Sequence, residues 1–285
     1  WVLYGYSMAF GKDLGGGLLG DPFQMFGLTK EIAPDSFFGT IPTSVFIAFQ
    51  AMFAIITVAL ISGAIADRTK FGGWIVFVIV WSTVVYFPVA HWVFDFDSGD
   101  KDPGGWIANQ LKAIDFAGGT AVHINAGIAG LAAALVIGKR VGFGREGFKP
   151  HNLTLVMIGA GLLWFGWFGF NAGSAVASNA TAGITFLNTF VATGAAMLAW
   201  LIVEKIRDGR ATSLGAASGV VAGLVAITPS CSAVNPLGAI ALGAIAGVLC
   251  ALAVGLKYKL GYDDSLDVVG VHLVGGLAGS ILVGV

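Results

Sequence analysis

Charge is what this sequence has least of. Asp, Glu, Lys and Arg together make up 11% of its 285 residues, against about 25% in a typical soluble domain. A chain of this length would otherwise be read as roughly two soluble domains; so little charge argues against that. The net charge is −1 and no basic block is present, which excludes a nucleic-acid-binding protein. Cysteine is nearly absent. Cys231 and Cys250 stand alone, so neither a disulfide framework nor a CxxC metal site is available. No signal peptide is visible either. What is abundant is apolar. Hydrophobic residues reach 56%, mean hydropathy is +0.86, and 43 residues are glycine. Apolar runs with many small residues fit a polytopic membrane protein, in which glycine lets helices approach closely.

A spanning helix needs about 20 apolar residues. Uncharged runs of about that length lie at 40–66, 72–94, 117–138, 152–172, 183–203, 213–228, 236–256 and 268–285, with 1–11 reading as the tail of another. The loops between them alternate in chemistry. One set carries Arg68 and Lys70; Lys139, Arg140, Arg145 and Lys149; Lys205, Arg207 and Arg210; and Lys257 and Lys259. The other carries Lys12, Lys30, Lys101 and Lys112, with Asp95, Asp97, Asp100 and Asp102 clustered in one loop. The positive-inside rule places the first set in the cytoplasm. The chain opens at Trp1 and stops at Val285, each inside an apolar run. The expectation is one transmembrane domain over 1–285, incomplete at both ends.

Ionisable residues at membrane depth are costly and mark function by default. Asp115 stands at the outer mouth of the run 117–138, and His123 lies eight residues on, about 12 Å deeper. Asp264 stands on the cytoplasmic side of the run 268–285, and His272 again lies eight residues on. Both histidines therefore approach the midplane, from opposite faces. Their neighbourhoods share H-x-x-x-G-x-A-G: His123 with Gly127, Ala129 and Gly130, and His272 with Gly276, Ala278 and Gly279. Two such copies running oppositely through a bilayer are the signature of an inverted repeat with its site at the midplane. His91 and His151 read differently, as interfacial or capping residues near helix ends.

Aromatic residues form a second constellation. Phe49 and Phe53 share a helix face at i, i+4. The run 152–172 closes with Trp164, Phe165, Trp167, Phe168, Phe170 and Asn171, and Ser174 follows; Phe94 ends 72–94 on the same side. Rings at this level form either an interfacial belt, the preferred reading for Trp92, Trp106 and Trp164, or a cage that attracts a cation through the ring quadrupole. Spacing alone does not choose. Asp115 fits a helix cap worth about 1 kcal/mol, and its charge makes the outer vestibule favourable to cations.

Taken together these phrases resemble the ammonium transporter family (Amt, Mep and Rh proteins), on its Amt side. The resemblance rests on Asp115-Phe-Ala-Gly-Gly-Thr-Ala-Val-His123-Ile-Asn-Ala, Gly166-Trp-Phe-Gly-Phe170-Asn171-Ala-Gly-Ser174, Phe49-Gln-Ala-Met-Phe53, and Asp263-Asp264-Ser-Leu-Asp267-Val-Val-Gly-Val-His272, and covers essentially the whole chain. It implies an all-α fold of inverted five-helix repeats around a central pore, with eleven helices in the full protein. This chain would run from the second helix to the tenth, without the first, the last and the C-terminal tail. It further implies that His123 and His272 are the twin histidines of the pore, that Phe53 and Phe170 form the phenylalanine gate, and that Phe53, Phe94 and Ser174 form the outer recruitment site with Asp115 beneath. Trp167, Thr228 and Phe49 fall near the pore. One departure stands out: the recruitment site usually has Trp where this chain has Phe94, and a Phe face binds a cation less well than Trp. Trp92 is a candidate to compensate.

The implied activity is capture of ammonium at the cage, its deprotonation, and conduction of ammonia past the histidines, with or without a separate proton. The implied setting is a multi-pass protein of the cell membrane, with no enzymatic activity and no cofactor. Its partners by resemblance are two further copies in a homotrimer and a cytoplasmic PII-type signal protein, for which the basic loops 139–149 and 205–210 offer a surface. Three rivals stand beside it: an Rh-like neutral gas channel, an ammonium sensor on the same fold, and a membrane electron-transfer protein holding haem through His123 and His272. Small residues beside both histidines argue for helices too close for haem.

Overall fold

The computed structural model describes residues 1–96 and 103–284; of the expected acidic loop, Asp97, Asp100 and Asp102 lie outside that range, as does Lys101. The order is α1 (Gly5–Phe10), a short antiparallel pair β1 (Phe37–Phe38) and β2 (Ile41–Pro42), then α2 (Thr43–Ala64), α3 (Phe71–Phe94), α4 (Trp106–Asn109), α5 (Gly119–Ile137), α6 (Leu153–Gly173), α7 (Ala180–Asp208), α8 (Ser213–Ile227), α9 (Pro236–Leu260) and α10 (Val269–Leu282). Among the described residues, six helices, α2, α3, α5, α6, α7 and α9, are long and apolar enough to cross a membrane. α8 and α10 are apolar but shorter. α8 has 15 residues, or about 22 Å at 1.5 Å per residue. The run 213–228 thus yields a helix short of the usual span, followed by a buried turn holding Thr228, Ser230 and Cys231.

Local chemistry sets the helix ends. Asn152, Asn179, Thr212 and Asn235 each accept a backbone N–H three residues on, at the starts of α6, α7, α8 and α9, as short polar side chains do at an N-cap. At α6 the cap is Asn152, not His151, which is exposed. α7 runs past its expected end through Glu204 to Asp208 and stops where Gly209 adopts φ +80°. Within α3, the N–H of Phe87 reaches the carbonyl of Ser82, an i−5 bond. Pro88 follows and has no N–H to give, so the wider turn absorbs the break in the i−4 ladder.

Helices α7, α8 and α9 form the tightest packing. Gly219 and Gly223 of α8 and Gly243 and Gly247 of α9 lie against the α7 backbone around Ala192 and Ala196, where a Cβ would collide. Close approach through small residues is the packing available to helices in lipid, where no hydrophobic force drives them together. The other large cluster joins α2, α3 and α5 through Phe53, Val58, Ile61, Tyr86, Phe87, Val93, Phe94 and Val122. α5, part of this cluster through Val122, and α10, which packs through Val271 with Leu224 and Val225 of α8, carry the histidines.

His91 belongs to this scaffold and not to an interface. It is fully buried, with Nδ1 3.1 Å from the Ala9 carbonyl and Nε2 3.3 Å from Asp13 Oδ1. It ties the segment after α1 to the end of α3.

Candidate functional site

α5 and α10 are built alike. Asp115 accepts backbone N–H groups from Gly118, Gly119, Thr120 and Ala121 at 2.6–3.3 Å. Asp264 accepts the N–H of Val269 at 2.7 Å. Each helix opens with wide i−5 turns: Asn125 N–H to Thr120 carbonyl in α5, and Val274 N–H to Val269 carbonyl in α10. These bonds occupy equivalent positions, two residues after each histidine. The glycine four residues after each histidine faces the other helix. A Cβ on Gly127 would stand 2.6 Å from the Leu273 nitrogen, and one on Gly276 would stand 3.1 Å from Ile124 and 3.2 Å from the His123 Cβ. Gly130 meets Ala64 at the end of α2, and Gly279 meets Ala226 at the end of α8. Reciprocal contacts of this kind are what a two-fold relating oppositely directed copies produces.

The consequence is a pair of facing imidazoles. Nδ1 of His123 lies 3.2 Å from Nδ1 of His272, with ring centroids 5.3 Å apart and planes 20° apart. Both are buried. A haem iron would have to sit between these nitrogens with its macrocycle around it, and Gly127 and Gly276 close that gap. The haem reading fails on this geometry. On its other face His123 stacks on the Trp167 indole, centroids 5.1 Å and planes 14° apart. The indole N–H donates to Thr228 Oγ1 at 2.8 Å. Trp167 and Thr228 thus stand beside the histidines.

On the Asp115 side of the pair lies a cavity of about 80 Å³ lined by Phe53, Ile56, Val122, His123, Trp167 and Phe170, among others. That is room for a few water-sized molecules, and His123 supplies the imidazole in an otherwise mostly apolar wall. Phe53 and Phe170 both line it. They meet edge to face, with centroids 4.9 Å and planes 77° apart, so the two rings are not stacked in parallel. Phe94 packs on the other side of Phe53 at 5.6 Å, and Phe49 at 5.0 Å. Phe53 is therefore the hub of the aromatic group. Ser174, half-buried, donates its hydroxyl proton to the Phe170 carbonyl at 2.8 Å. Its oxygen lone pairs are left as acceptors.

Asp115 is buried and spends both oxygens on four backbone N–H groups, the helix cap that its place in the sequence fits. Trp92 cannot stand in at the Phe94 position: its indole N–H donates to the Leu18 carbonyl at 2.7 Å and its ring faces Trp106 at 6.0 Å. Asn171 gains a place in the site that the sequence pattern alone does not give it. Asn171 is fully buried, with Nδ2 donating to Thr189 Oγ1 at 3.0 Å. A lone Asn inside an apolar helix was the available signal.

On the opposite face, Asp263 receives Arg140 through Nη2 at 2.8 Å and Nε at 3.0 Å, and Arg68 lies 3.6 Å away. Burial alone would raise the Asp263 carboxyl; the two guanidiniums overcome it and hold it below the usual carboxylate range. Its neighbour Asp264 shows the reverse. Burial raises it to about 6, with the Val269 N–H and Lys257 opposing.

Comparison with known proteins bears on this arrangement. The profile of the Ammonium Transporter Family matches residues 1–285. The ammonium transporter of Mycobacterium tuberculosis H37Rv is 64% identical, over 100% of this chain and 62% of that protein. The crystal structure of Saccharomyces cerevisiae Mep2 superposes with a TM-score of 0.91 at 38% identity, covering 100% of this chain and 62% of that one. A structure titled Sensor Amt Protein gives a TM-score of 0.86 at 32% identity, over 98% of this chain and 68% of that one. The chain therefore spans about three-fifths of the length of the first two. The match takes in both histidine helices and the aromatic group between them, and this chain belongs to the ammonium transporter family.

Proposed function

We propose that this chain forms the conducting part of a multi-pass ammonium transporter of the cell membrane. One observation carries the reading: two buried imidazoles meet at 3.2 Å, and His123 lines a mostly apolar cavity together with Phe53 and Phe170. Ammonium and potassium are similar in size and charge, so a charged pore cannot sort them. Ammonium can donate hydrogen bonds and can lose a proton; potassium can do neither. Phe53 and Phe94 offer ring faces, and Ser174 offers an oriented acceptor; these replace part of the water around ammonium at the outer mouth. Beyond the Phe53–Phe170 gate the apolar lumen penalises the charged form. Ammonia then crosses along the paired imidazoles, which donate and accept in turn.

The sensor reading rests on the likeness to the Sensor Amt Protein and requires a signalling output, whereas the cavity beside His123 supports passage. Assembly as a homotrimer and docking of a PII-type protein on the basic face belong to the same proposal.

Solid-supported membrane electrophysiology or flux assays on the whole protein in liposomes test it, comparing ammonium, methylammonium and potassium. Ammonium uptake that excludes potassium is the expected result. Signalling without any ammonium flux would favour the sensor.

A further inference from the structure

α6 is anchored more thinly than its neighbours. Of its 21 residues only Ala160, Trp167 and Asn171 are buried. Trp167, Phe170 and Asn171 stand at i, i+3 and i+4, one stripe of the helix. That stripe carries the ring stacked on His123 and the ring that meets Phe53. A rotation of α6 about its axis would move both together. Rotation is resisted by ring contacts with α7, Phe168 on Phe186 at 4.1 Å and Trp164 on Phe190 at 6.1 Å, and by buried polar bonds. Asn171 Nδ2 donates to Thr189 Oγ1 of α7 at 3.0 Å, and the Thr189 hydroxyl donates to its own helix at the Thr185 carbonyl at 2.7 Å. On the other side, Thr228 Oγ1 accepts the Trp167 indole N–H at 2.8 Å and donates to the Leu224 carbonyl at 2.7 Å, with Asn171 Oδ1 at 3.4 Å. Asn171, Thr189 and Thr228 are all fully buried or nearly so, where hydrogen bonds are strongest and most directional.

We propose that Asn171 is a positioning residue: by holding α6 to Thr189 of α7, it fixes the rotation of α6 and so sets the Phe170 gate and the Trp167 platform under His123 as one unit. The proposal rests on the transport reading above, since it assigns a role within that path. Asn171 touches neither the cavity nor the imidazoles; it acts through the two rings. Thr189 is one step further out, which makes it the cleaner handle.

The test uses three variants of the whole protein in liposomes. Asn171→Leu keeps the volume and removes the amide. Thr189→Val keeps the shape and removes the hydroxyl. Thr189→Ser keeps the hydroxyl and removes a methyl group. The expected outcome is that Asn171→Leu and Thr189→Val each lower maximal ammonium flux about 5- to 10-fold per inserted protein. The methylammonium-to-ammonium flux ratio shifts with it. Thr189→Ser stays within about twofold of the parent. The double variant is no worse than the poorer single, as members of one network behave. A Thr189→Val protein with parental flux and ratio would overturn the proposal, as would a Thr189→Ser protein as impaired as Thr189→Val. Hydrogen exchange of the α6 amides gives a readout independent of transport: Asn171→Leu speeds exchange over 164–173. Unchanged exchange there would also overturn it. A parent that moves no ammonium would instead remove the transport reading, and the exchange result would still decide whether Asn171 pins α6.

Discussion

A neutral imidazole has one donor and one acceptor nitrogen. At 3.2 Å between the two Nδ1 atoms, one ring must donate and the other accept, so neutral His123 and His272 are held in opposite tautomers. Their outer nitrogens then differ too: one Nε2 accepts and the other donates. Such a pair can hand ammonia along, or relay a proton by exchanging tautomers, but it offers no fixed charge to a bare cation. His123→Asp or His272→Asp supplies one, and an opposite charge nearby stabilises the charged form. Either variant is expected to pass potassium, read as a potassium-evoked current absent from the parent. Replacing both by Leu is expected to stop ammonium flux with the fold intact; flux that persisted with potassium still excluded would make the pair structural. At the mouth, Phe94 faces Phe53, and Trp is the better ring for a cation by about 0.5–1 kcal/mol. Phe94→Trp is therefore expected to improve apparent ammonium affinity about two- to fivefold in a concentration series. Unchanged or poorer affinity would mean that this ring does not meet the ion. The histidines were legible in the sequence because two matched motifs at matched depth point at one plane. Trp92 and His91 were not. Their partners, the Leu18 carbonyl and Asp13, lie more than 70 residues away in the chain, and no local pattern encodes such a contact.

At the scale of the element, glycine spacing decides how near the histidine helices come. H-x-x-x-G puts Gly127 and Gly276 one turn beyond each imidazole, on the same face. The reciprocal approach of Gly127 to Leu273 and of Gly276 to Ile124 follows from that spacing. Gly127→Val places two methyl groups against the Leu273 backbone, and overpacking of this kind costs about 1–3 kcal/mol. The expected outcome is a lower unfolding midpoint in detergent together with loss of ammonium flux, because the rings are driven beyond hydrogen-bond reach. A variant that kept flux would mean that α5 and α10 can separate without harm. The uncharged runs located the starts of α6, α8 and α9, where Asn or Thr caps stand, but not the end of α7, which carries Glu204 through Asp208 within the helix. The wide turns at Ser82–Tyr86, Gly119–Ile124 and Val269–Leu273 left no such trace. Pro88 accounts for the first. The other two open helices whose first backbone N–H groups are capped locally by Asp115 and Asp264.

Across the whole molecule, the basic residues do more than set orientation. Arg68 and Arg140 converge on Asp263, and Arg68 also donates to the carbonyls of Gly138 and Ala64. Lys257 donates to Asp267 at 2.7 Å. These bonds join the end of α2, the end of α5 and the start of α10, so the segment that leads to His272 is strapped to the helix that carries His123. Arg140 is thereby committed to the fold, and a partner protein docking on 139–149 would meet Arg145 and Lys149 instead. The Asp263 side chain is wholly buried. Removing one member of a buried pair costs about 3–5 kcal/mol, since the other charge is left without its counter-ion. Asp263→Ala and Arg140→Ala are each expected to lower the unfolding midpoint, and the double variant is expected to lose less than the two losses added. The pH dependence has a definite sign. Because its carboxyl is held below its unfolded value, Asp263 contributes stability above about pH 4. That contribution fades as pH falls through the lower folded value and the carboxylate is protonated. Asp264, raised to about 6 by burial, works the other way: its ionisation weakens the folded state as pH climbs from about 4 to above 6. Asp263→Ala should therefore flatten the acid limb of a stability-against-pH curve and leave the limb near pH 6 in place. If the acid limb were unchanged in that variant, the clasp at Asp263 would not be what holds the two histidine helices together on this face.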